Sequence, residues 1–252
     1  MIRNFRAWRR LFFGLKRRIA APKGYVKGWG WCWLDERHVT MREMTRKIRR
    51  ILIRAFHRVN PASRRKVVQW ETVEGLDFLR RIGIREGFLV IDFGCGPGRF
   101  CIPAAQVVGE SGRVYAVDKN PSVLKQVRCK AEARGLRNLR AVPGLAELNP
   151  WPESRGCDVA LLYDMLHFLD PPGRKKVYAA LRDVLAENGR ISVHLQHVKG
   201  REPAEFFKAL TAEDVIREIE AAGYELLRRV PVRIWHAHGT VDSEICDFSR
   251  KR

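Results

Sequence analysis

The sequence lacks any apolar run that approaches the roughly 20 residues needed to span a bilayer. Arginines are frequent at its N-terminus, but the apolar run that follows them, Leu11–Leu15, is too short for the core of a signal peptide. Internal repeats and low-complexity tracts are also missing. We therefore expect a soluble or peripheral protein of the cytoplasm, with the inner face of a membrane as the surface for any attachment.

Cysteine is scarce, and the six cysteines are scattered along the chain. They form no C-x-x-C pair and no spacing typical of a metal site. We expect free thiols in a reducing compartment and no bound metal. The six are Cys32, Cys95, Cys101, Cys129, Cys157 and Cys246.

Acidic residues are few in one part of the chain only. Residues 1–70 contain 20 Lys and Arg but only three acids, a net charge of +17, whereas residues 71–252 contain 28 against 25, a net charge of +3. The sequence therefore predicts a nearly neutral domain behind a strongly basic N-terminal segment. Such a segment attracts nucleic acid or an anionic membrane surface, unless it is only a solvated face.

The basic segment has two helical patterns. Apolar residues recur at steps of three or four over 2–19 and again over 41–59, with Arg and Lys on the other faces. The loop between them is rich in Gly and Pro and is followed by alternating tryptophans. We predict a helical extension over residues 1–72 that can cover the next domain as a lid. Its aromatic cluster is Tyr25, Trp29, Trp31 and Trp33.

From residue 73 onwards the pattern changes to alternating strands and helices. This alternation predicts an α/β domain over 73–252 with a doubly wound, mostly parallel, seven-stranded sheet. Only residues 237–240 separate the last two strands, so these must pair as an antiparallel hairpin. The predicted strands are 88–93, 113–118, 139–142, 158–163, 190–195, 224–235 and 241–248, and the predicted helices are 74–82, 97–108, 121–134, 173–186 and 212–222.

The most informative stretch is a buried strand that leads into the glycine-rich turn Gly94–Gly98. Glycines permit positive φ and let a ligand approach the backbone closely. A helix that begins at Pro97 would also offer free N–H donors to an anionic group. The following strand ends in Asp118, whose carboxylate suits the two hydroxyls of a ribose. These features indicate a nucleotide-like cofactor, and a NAD-binding domain is the alternative reading.

The spacing D-x-G-x-G-x-G begins at Asp92, and with Asp118 and the closing hairpin it resembles the class I S-adenosylmethionine-dependent methyltransferases. The resemblance covers about residues 73–252 and is greatest to the group that includes quinone C-methyltransferases and arsenite methyltransferases. It implies S-adenosylmethionine as the cofactor, with Asp92 at its amino group and Asp118 at its ribose. Leu145 stands where family members commonly carry an Asp for the adenine, so Glu147 or backbone groups would take that contact. The other implied cofactor residues are Gly94, Gly96 and Gly98 along the methionine part, with Cys95, Lys119 and Ala146.

The catalytic candidates follow the fourth strand, because open α/β sheets bind ligands at the carboxyl ends of strands. They are Tyr163, Asp164 and His167. Alignment of the acceptor atom alone can supply about 7–11 kcal/mol, and a base is needed only if the acceptor must lose a proton. His167 matches a histidine that is frequent in the resembling family at this point.

Two further histidine pairs follow later strands, His194 with His197 and His236 with His238. No acidic or cysteine partner stands near them at the spacing of metal ligands. We interpret them as polar positions at the rim of the pocket and expect no metal.

The acceptor is left open between two classes. A small-molecule or lipid-like acceptor is favoured by the amphipathic spacing of 2–19, which suits an anionic membrane surface. An RNA acceptor, gripped through its phosphates, is the alternative. Arsenite methylation would need converging cysteines, for which only Cys32 and Cys157 are at hand. A protein that binds S-adenosylmethionine without turnover would show the same glycine turn and Asp118.

Overall fold

The computed structural model describes residues 61–148, 152–201, 207 and 210–251. These residues belong to one compact unit, Leu52–Arg252. The two basic helices and the aromatic cluster predicted between residues 2 and 59 lie outside the described residues, so they stay predictions. Among the helices that are described, none has both the length and the apolar character that a membrane crossing requires.

The sheet has seven strands in the order β3-β2-β1-β4-β5-β7-β6. The first five strands pair in parallel. β7 lies between β5 and β6 and is antiparallel to both. This confirms the predicted mostly parallel sheet with a C-terminal antiparallel hairpin. The strands are β1 Leu89–Phe93, β2 Arg113–Val117, β3 Leu139–Val142, β4 Cys157–Leu162, β5 Leu185–His194, β6 Tyr224–His236 and β7 Gly239–Arg250.

Helices cover both faces of this sheet, so the central strands are buried on both sides. Successive residues of a strand point to opposite faces. Val90 therefore joins the apolar cluster that contains Phe78 and Ile102, whereas Ile91 joins the cluster that contains Tyr178 and Ile219. The helices are α1 Pro61–Gln69, α2 Gly75–Arg81, α3 Cys101–Val108, α4 Pro121–Glu132, α5 Pro171–Val184 and α6 Ala212–Ala221.

Two predicted boundaries were wrong by four or five residues. The helix expected from Pro97 begins only at Cys101, because residues 96–100 form a turn that Gly96 and Gly98 hold at φ +48° and +86°. The fifth strand begins at Leu185 and not at Arg190, because Leu185 already pairs with Cys157 of β4.

Residues 61–72, which the sequence assigned to the extension, pack with the sheet domain. α1 continues into α2 through a π-helical turn, Trp70–Glu74. Trp70 is 1% exposed, and its indole N–H donates to the carbonyl of Arg99 at 2.7 Å. Its ring lies against Phe78 and Trp235, with centroids 5.7 and 6.0 Å away. The apolar surface of Trp70 explains this placement, because an indole of that size is stabilised by burial.

Candidate active site

The glycine turn lies at the carboxyl ends of β1 and β2. The backbone N–H groups of Gly94 and Cys95 both donate to the carbonyl of Val117, the last residue of β2, at 2.8 and 3.0 Å. Gly94 has a φ of +78°, which side chains with a Cβ rarely adopt. The turn is therefore fixed to the edge of the sheet where ligands bind in this class of fold.

The three glycines of the turn differ in what surrounds them. A Cβ placed on Gly94 would lie 2.7 Å from the Cβ of Met165, and one on Gly98 would lie 3.0 Å from Cγ1 of Ile102. A Cβ on Gly96 would meet nothing closer than a backbone oxygen at 4.0 Å. Gly94 and Gly98 are thus required by packing within the protein, and Gly96 faces the space in which a ligand can approach the backbone.

Asp118 follows β2 and lies beside Gly96. Its Oδ2 accepts from the N–H of Gly96 at 3.1 Å, and its Oδ1 accepts from the N–H of Asn120 at 2.8 Å. Asn120 in turn caps α4 by accepting from the N–H of Ser122. The carboxylate is half-buried, so it both fixes the turn and remains reachable. Three further predicted cofactor residues are exposed after β2 and β3, namely Lys119, Ala146 and Glu147.

Asp92 lies below the turn, within β1, and is 2% exposed. Burial raises the pKa of its carboxyl to about 7, although the hydrogen bond from the N–H of Cys101 at 2.9 Å acts in the opposite direction. That hydrogen bond also serves a free N–H at the start of α3. A buried carboxylate that is costly to ionise is suited to a cationic ligand group, such as an ammonium.

Asp92 should make the stability of the ligand-free protein depend on pH. Its pKa is 3.8 in an unperturbed chain and about 7 in the folded one, so between these values the folded state holds more protons than the unfolded state. The free energy of unfolding therefore falls as pH rises from about 4 to 7, by up to about 4 kcal/mol from this group. Asp92→Asn should remove this contribution and unfold at a higher denaturant concentration than the unsubstituted protein at pH 8. Urea titrations of both proteins from pH 5 to 8 test this, and parallel pH profiles would contradict it.

A second group of polar side chains lies at the carboxyl ends of β4, β5 and β6. Asp164 follows β4, and its Oδ2 lies 2.7 Å from Nδ1 of His236, the last residue of β6. Its Oδ1 lies 2.8 Å from Nδ1 of His194, the last residue of β5. Burial alone would raise the pKa of Asp164, but the hydrogen bond with His236 and the close contact with His194 outweigh burial and hold that pKa well below its usual range.

His167 and His197 extend the same group, which we call the histidine cluster: Asp164, His167, His194, His197 and His236. The rings of His167 and His197 have centroids 3.8 Å apart, and the ring of His197 lies 4.9 Å from that of His236. Burial and the neighbouring His197 lower the pKa of His167 to about 3, so its ring is neutral. Two predicted catalytic residues, Asp164 and His167, are thus brought together.

Three of the histidines that the sequence suggested as rim positions belong to this cluster. Their acidic partner, Asp164, is not at ligand spacing in the sequence, because it meets His236 across 72 positions. The sequence does contain a signal for this cluster, since each of these side chains lies at or just after the carboxyl end of a strand. His238 lies in the exposed turn between β6 and β7.

Tyr163, the third predicted catalytic residue, has its hydroxyl hydrogen-bonded to Ser192 and not to a member of the histidine cluster. Tyr163 is 3% exposed, and its hydroxyl lies 2.8 Å from Oγ of Ser192 on the neighbouring strand. Its ring packs edge-on against Phe100, with centroids 4.9 Å apart. Burial raises the pKa of the phenol far above its usual range. These contacts make Tyr163 part of the core.

Cys157, which the sequence offered for a metalloid site, lies at the amino end of β4. This is the opposite edge of the sheet from Asp164.

Known proteins resemble this chain over the segment that carries the site. Residues 90–189 match the family described as "Methyltransferase domain". The aklanonic acid methyltransferase DauC of Streptomyces sp. (strain C5) is 33% identical over 47% of this chain and 56% of its own length. A demethylmenaquinone methyltransferase of Geobacillus stearothermophilus is 32% identical over 39% of this chain and 41% of its own length. The chain thus spans about half the length of these curated relatives.

Solved structures share the fold. A SAM-dependent methyltransferase from Aquifex aeolicus superposes with a TM-score of 0.56 at 22% identity, over 71% of this chain and 92% of that one. The glycopeptide N-methyltransferase MtfA, solved with sinefungin, gives a TM-score of 0.53 at 17% identity, over 72% and 87%. The segment matched by the family contains the glycine turn, Asp118 and the end of β4. Residues 90–189 thus match a methyltransferase domain, and the described residues have the fold of a solved SAM-dependent methyltransferase.

Proposed function

We propose that this protein transfers the methyl group of S-adenosylmethionine to a small-molecule or lipid-like acceptor. The observation that carries the proposal is the arrangement along one edge of the sheet. Gly96 and Asp118 form an open cradle at the ends of β1 and β2, and the histidine cluster lies at the ends of β4, β5 and β6. Since β1 and β4 are neighbours, a cofactor at the cradle would present its reactive end towards the cluster.

The residues of the cradle fit the cofactor in three respects. The open side of Gly96 admits a ligand against the backbone. The reachable carboxylate of Asp118 suits ribose hydroxyls, and the buried carboxylate of Asp92 suits the ammonium of the methionine part. Bound there, S-adenosylmethionine would supply an electrophilic methyl group on a sulfonium sulfur. The protein's part is to hold this methyl in line with the acceptor atom.

The histidine cluster supports an acceptor that carries an ionisable oxygen. Its imidazoles and its carboxylate can donate to and accept from such a group, and they can promote the loss of its proton. The exposed ring of Phe168, beside His167 at a centroid distance of 4.0 Å, adds an apolar surface at the same edge. Two relatives are named for aklanonic acid and demethylmenaquinone as acceptors. These names favour an organic acceptor of modest size.

The basic N-terminal segment suggests that the protein encounters such an acceptor at a membrane surface. With a net charge of +17 over residues 1–70, it would bind an anionic membrane surface from the cytoplasmic side and bring the domain to lipid-like acceptors. The competing use of the same charge is RNA binding.

The distribution of label from methyl-labelled S-adenosylmethionine tests the proposed function. The full chain is incubated in parallel with naphthoquinols and phenolic acids, with vesicle lipid extracts and with total RNA, and each mixture is separated into organic, RNA and protein fractions. Label in the organic fraction would support the proposal. Label in RNA would replace it with the RNA alternative. Binding of S-adenosylhomocysteine without transfer to any fraction would indicate a protein that binds the cofactor without turnover.

Asp164→Asn should lower turnover by at least about 100-fold, which is the lower end of the effect of a group that assists proton transfer. Asparagine tolerates the positive φ of +53° at this position, so the backbone should be preserved. Asp170→Asn is the matched control, because Asp170 caps α5 and asparagine caps equally well. Both variants should bind S-adenosylhomocysteine as the unsubstituted protein does. Equal turnover of the two variants would show that Asp164 has no part in the reaction.

A further inference from the structure

We propose that Asp164, His197 and His236 bind a divalent transition-metal ion on the acceptor side of the site. One ligand atom from each of the three residues can be chosen so that all lie within 4.8 Å of one another. Within this group, Oδ2 of Asp164 lies 2.7 Å from Nδ1 of His236. Two ligands bound at about 2.1 Å and at right angles on one ion lie about 3 Å apart, so this pair is already near the required spacing.

The donor set indicates the kind of ion. Two imidazoles and one carboxylate suit first-row metals such as Zn²⁺, Co²⁺ and Fe²⁺, whereas Mg²⁺ and Ca²⁺ prefer oxygen donors. Methyl transfer changes no oxidation state at the metal. An ion without redox chemistry, such as Zn²⁺, is therefore sufficient for the site.

Surrounding contacts orient the proposed ligands in the way that supporting groups do in metal sites. His194, whose side chain is fully buried, holds the other oxygen of Asp164 through its Nδ1 at 2.8 Å. The Nε2 of His194 is in turn 3.0 Å from Oγ of Ser243. This leaves Oδ2 of Asp164 on the side of His236. Asp164 also keeps a φ of +53°, and a non-glycine residue in that conformation is retained where the surroundings impose it.

The role of the ion, unlike its binding, rests on the proposed function. Three protein ligands leave coordination positions to which an oxygen of the acceptor can bind. The ion would favour loss of the proton from a hydroxyl bound there, and solvent would take up that proton. As the new carbon–oxygen bond forms, the sulfur–carbon bond of the sulfonium breaks and the sulfur keeps the electron pair. The charges of acceptor, proton and thioether product then balance.

Titration with Co²⁺ tests the binding, with the full chain free of any histidine tag. We expect one Co²⁺ per chain, with visible absorption bands typical of nitrogen and oxygen ligands. His197→Ala and His236→Ala should each weaken this binding at least about tenfold. His238→Ala is the matched control, since it removes an exposed histidine two positions from His236. Affinity that is unchanged in His197→Ala and His236→Ala, or no stoichiometric binding by the unsubstituted chain, would overturn the proposal.

Two parallel measurements separate this inference from the proposed function. Thermal melting and S-adenosylhomocysteine binding of each variant show that the domain and the cradle are intact. Specific Co²⁺ binding without methyl transfer to any acceptor would uphold the metal site and count against the proposed function. Undiminished transfer after removal of metal by a chelator, with label in the organic fraction, would uphold the function and overturn the metal's role.

Discussion

Gly96→Ala is expected to weaken the binding of S-adenosylmethionine and S-adenosylhomocysteine about 10- to 100-fold, because one added methyl group in a close-packed contact costs about 1–3 kcal/mol. A methyl group at this position meets no protein atom closer than 4.0 Å, so it would occupy ligand space. The positive φ of +48° adds a cost of about 1–2 kcal/mol to the stability of the folded protein. Titration calorimetry with S-adenosylhomocysteine and urea unfolding measure the two effects separately.

Gly94→Ala provides the contrast, since its methyl group would collide with the side chain of Met165 at 2.7 Å. Strain at φ +78° and overpacking together predict a loss of about 2–5 kcal/mol in the free energy of unfolding. Gly94 and Gly96 are only two positions apart, and the sequence alone does not distinguish their roles. If Gly96→Ala were the more destabilising of the two and left the affinity intact, the open cradle would be the wrong location for the cofactor.

The sequence alone predicts those parts of the site whose residues lie close together along the chain. The strand before the glycine turn, the turn itself and Asp118 lie within about 30 residues, and the turn chemistry of glycine is visible in the residue types. Alternating apolar segments likewise predicted the seven strands. The start of α3 was misplaced, because the positive φ values of Gly96 and Gly98 extend the turn beyond Pro97.

The histidine cluster could not be predicted in this way. It depends on the position of β7 between β5 and β6, which makes β6 parallel to β5 and brings His236 to the same edge as Asp164. The pattern predicted that the last two strands pair with each other, but it does not say which strand they join. Contacts across 72 positions follow from strand order, and strand order is set by the packing of the whole sheet.

Glu71 is the second position where a single substitution should have a large effect. It lies in the π-helical turn before α2 and is 1% exposed. Its carboxylate accepts from Arg99 at 2.5 Å, from Lys130 at 2.5 Å and from Arg134 at 3.0 Å. Lys130 also donates to the carbonyl of Pro97 in the glycine turn at 2.6 Å. One buried carboxylate therefore joins the N-terminal helices, the glycine turn and α4.

Glu71→Gln should lower the free energy of unfolding by about 2–4 kcal/mol, somewhat less than the loss of one partner from a fully buried ion pair because the three cations are partly exposed. The neutral side chain leaves the three cations to repel one another. Repulsion of this kind is screened by salt, so the variant should recover stability between 0.05 and about 1 M NaCl more than the unsubstituted protein does. Glu74→Gln makes the same change on an exposed residue of the same turn and should alter stability by less than about 0.5 kcal/mol. Urea unfolding of both variants at the two salt concentrations tests this prediction. If the loss in the free energy of unfolding is equal in both variants, or does not depend on salt, Glu71 contributes by packing and not by holding these charges together.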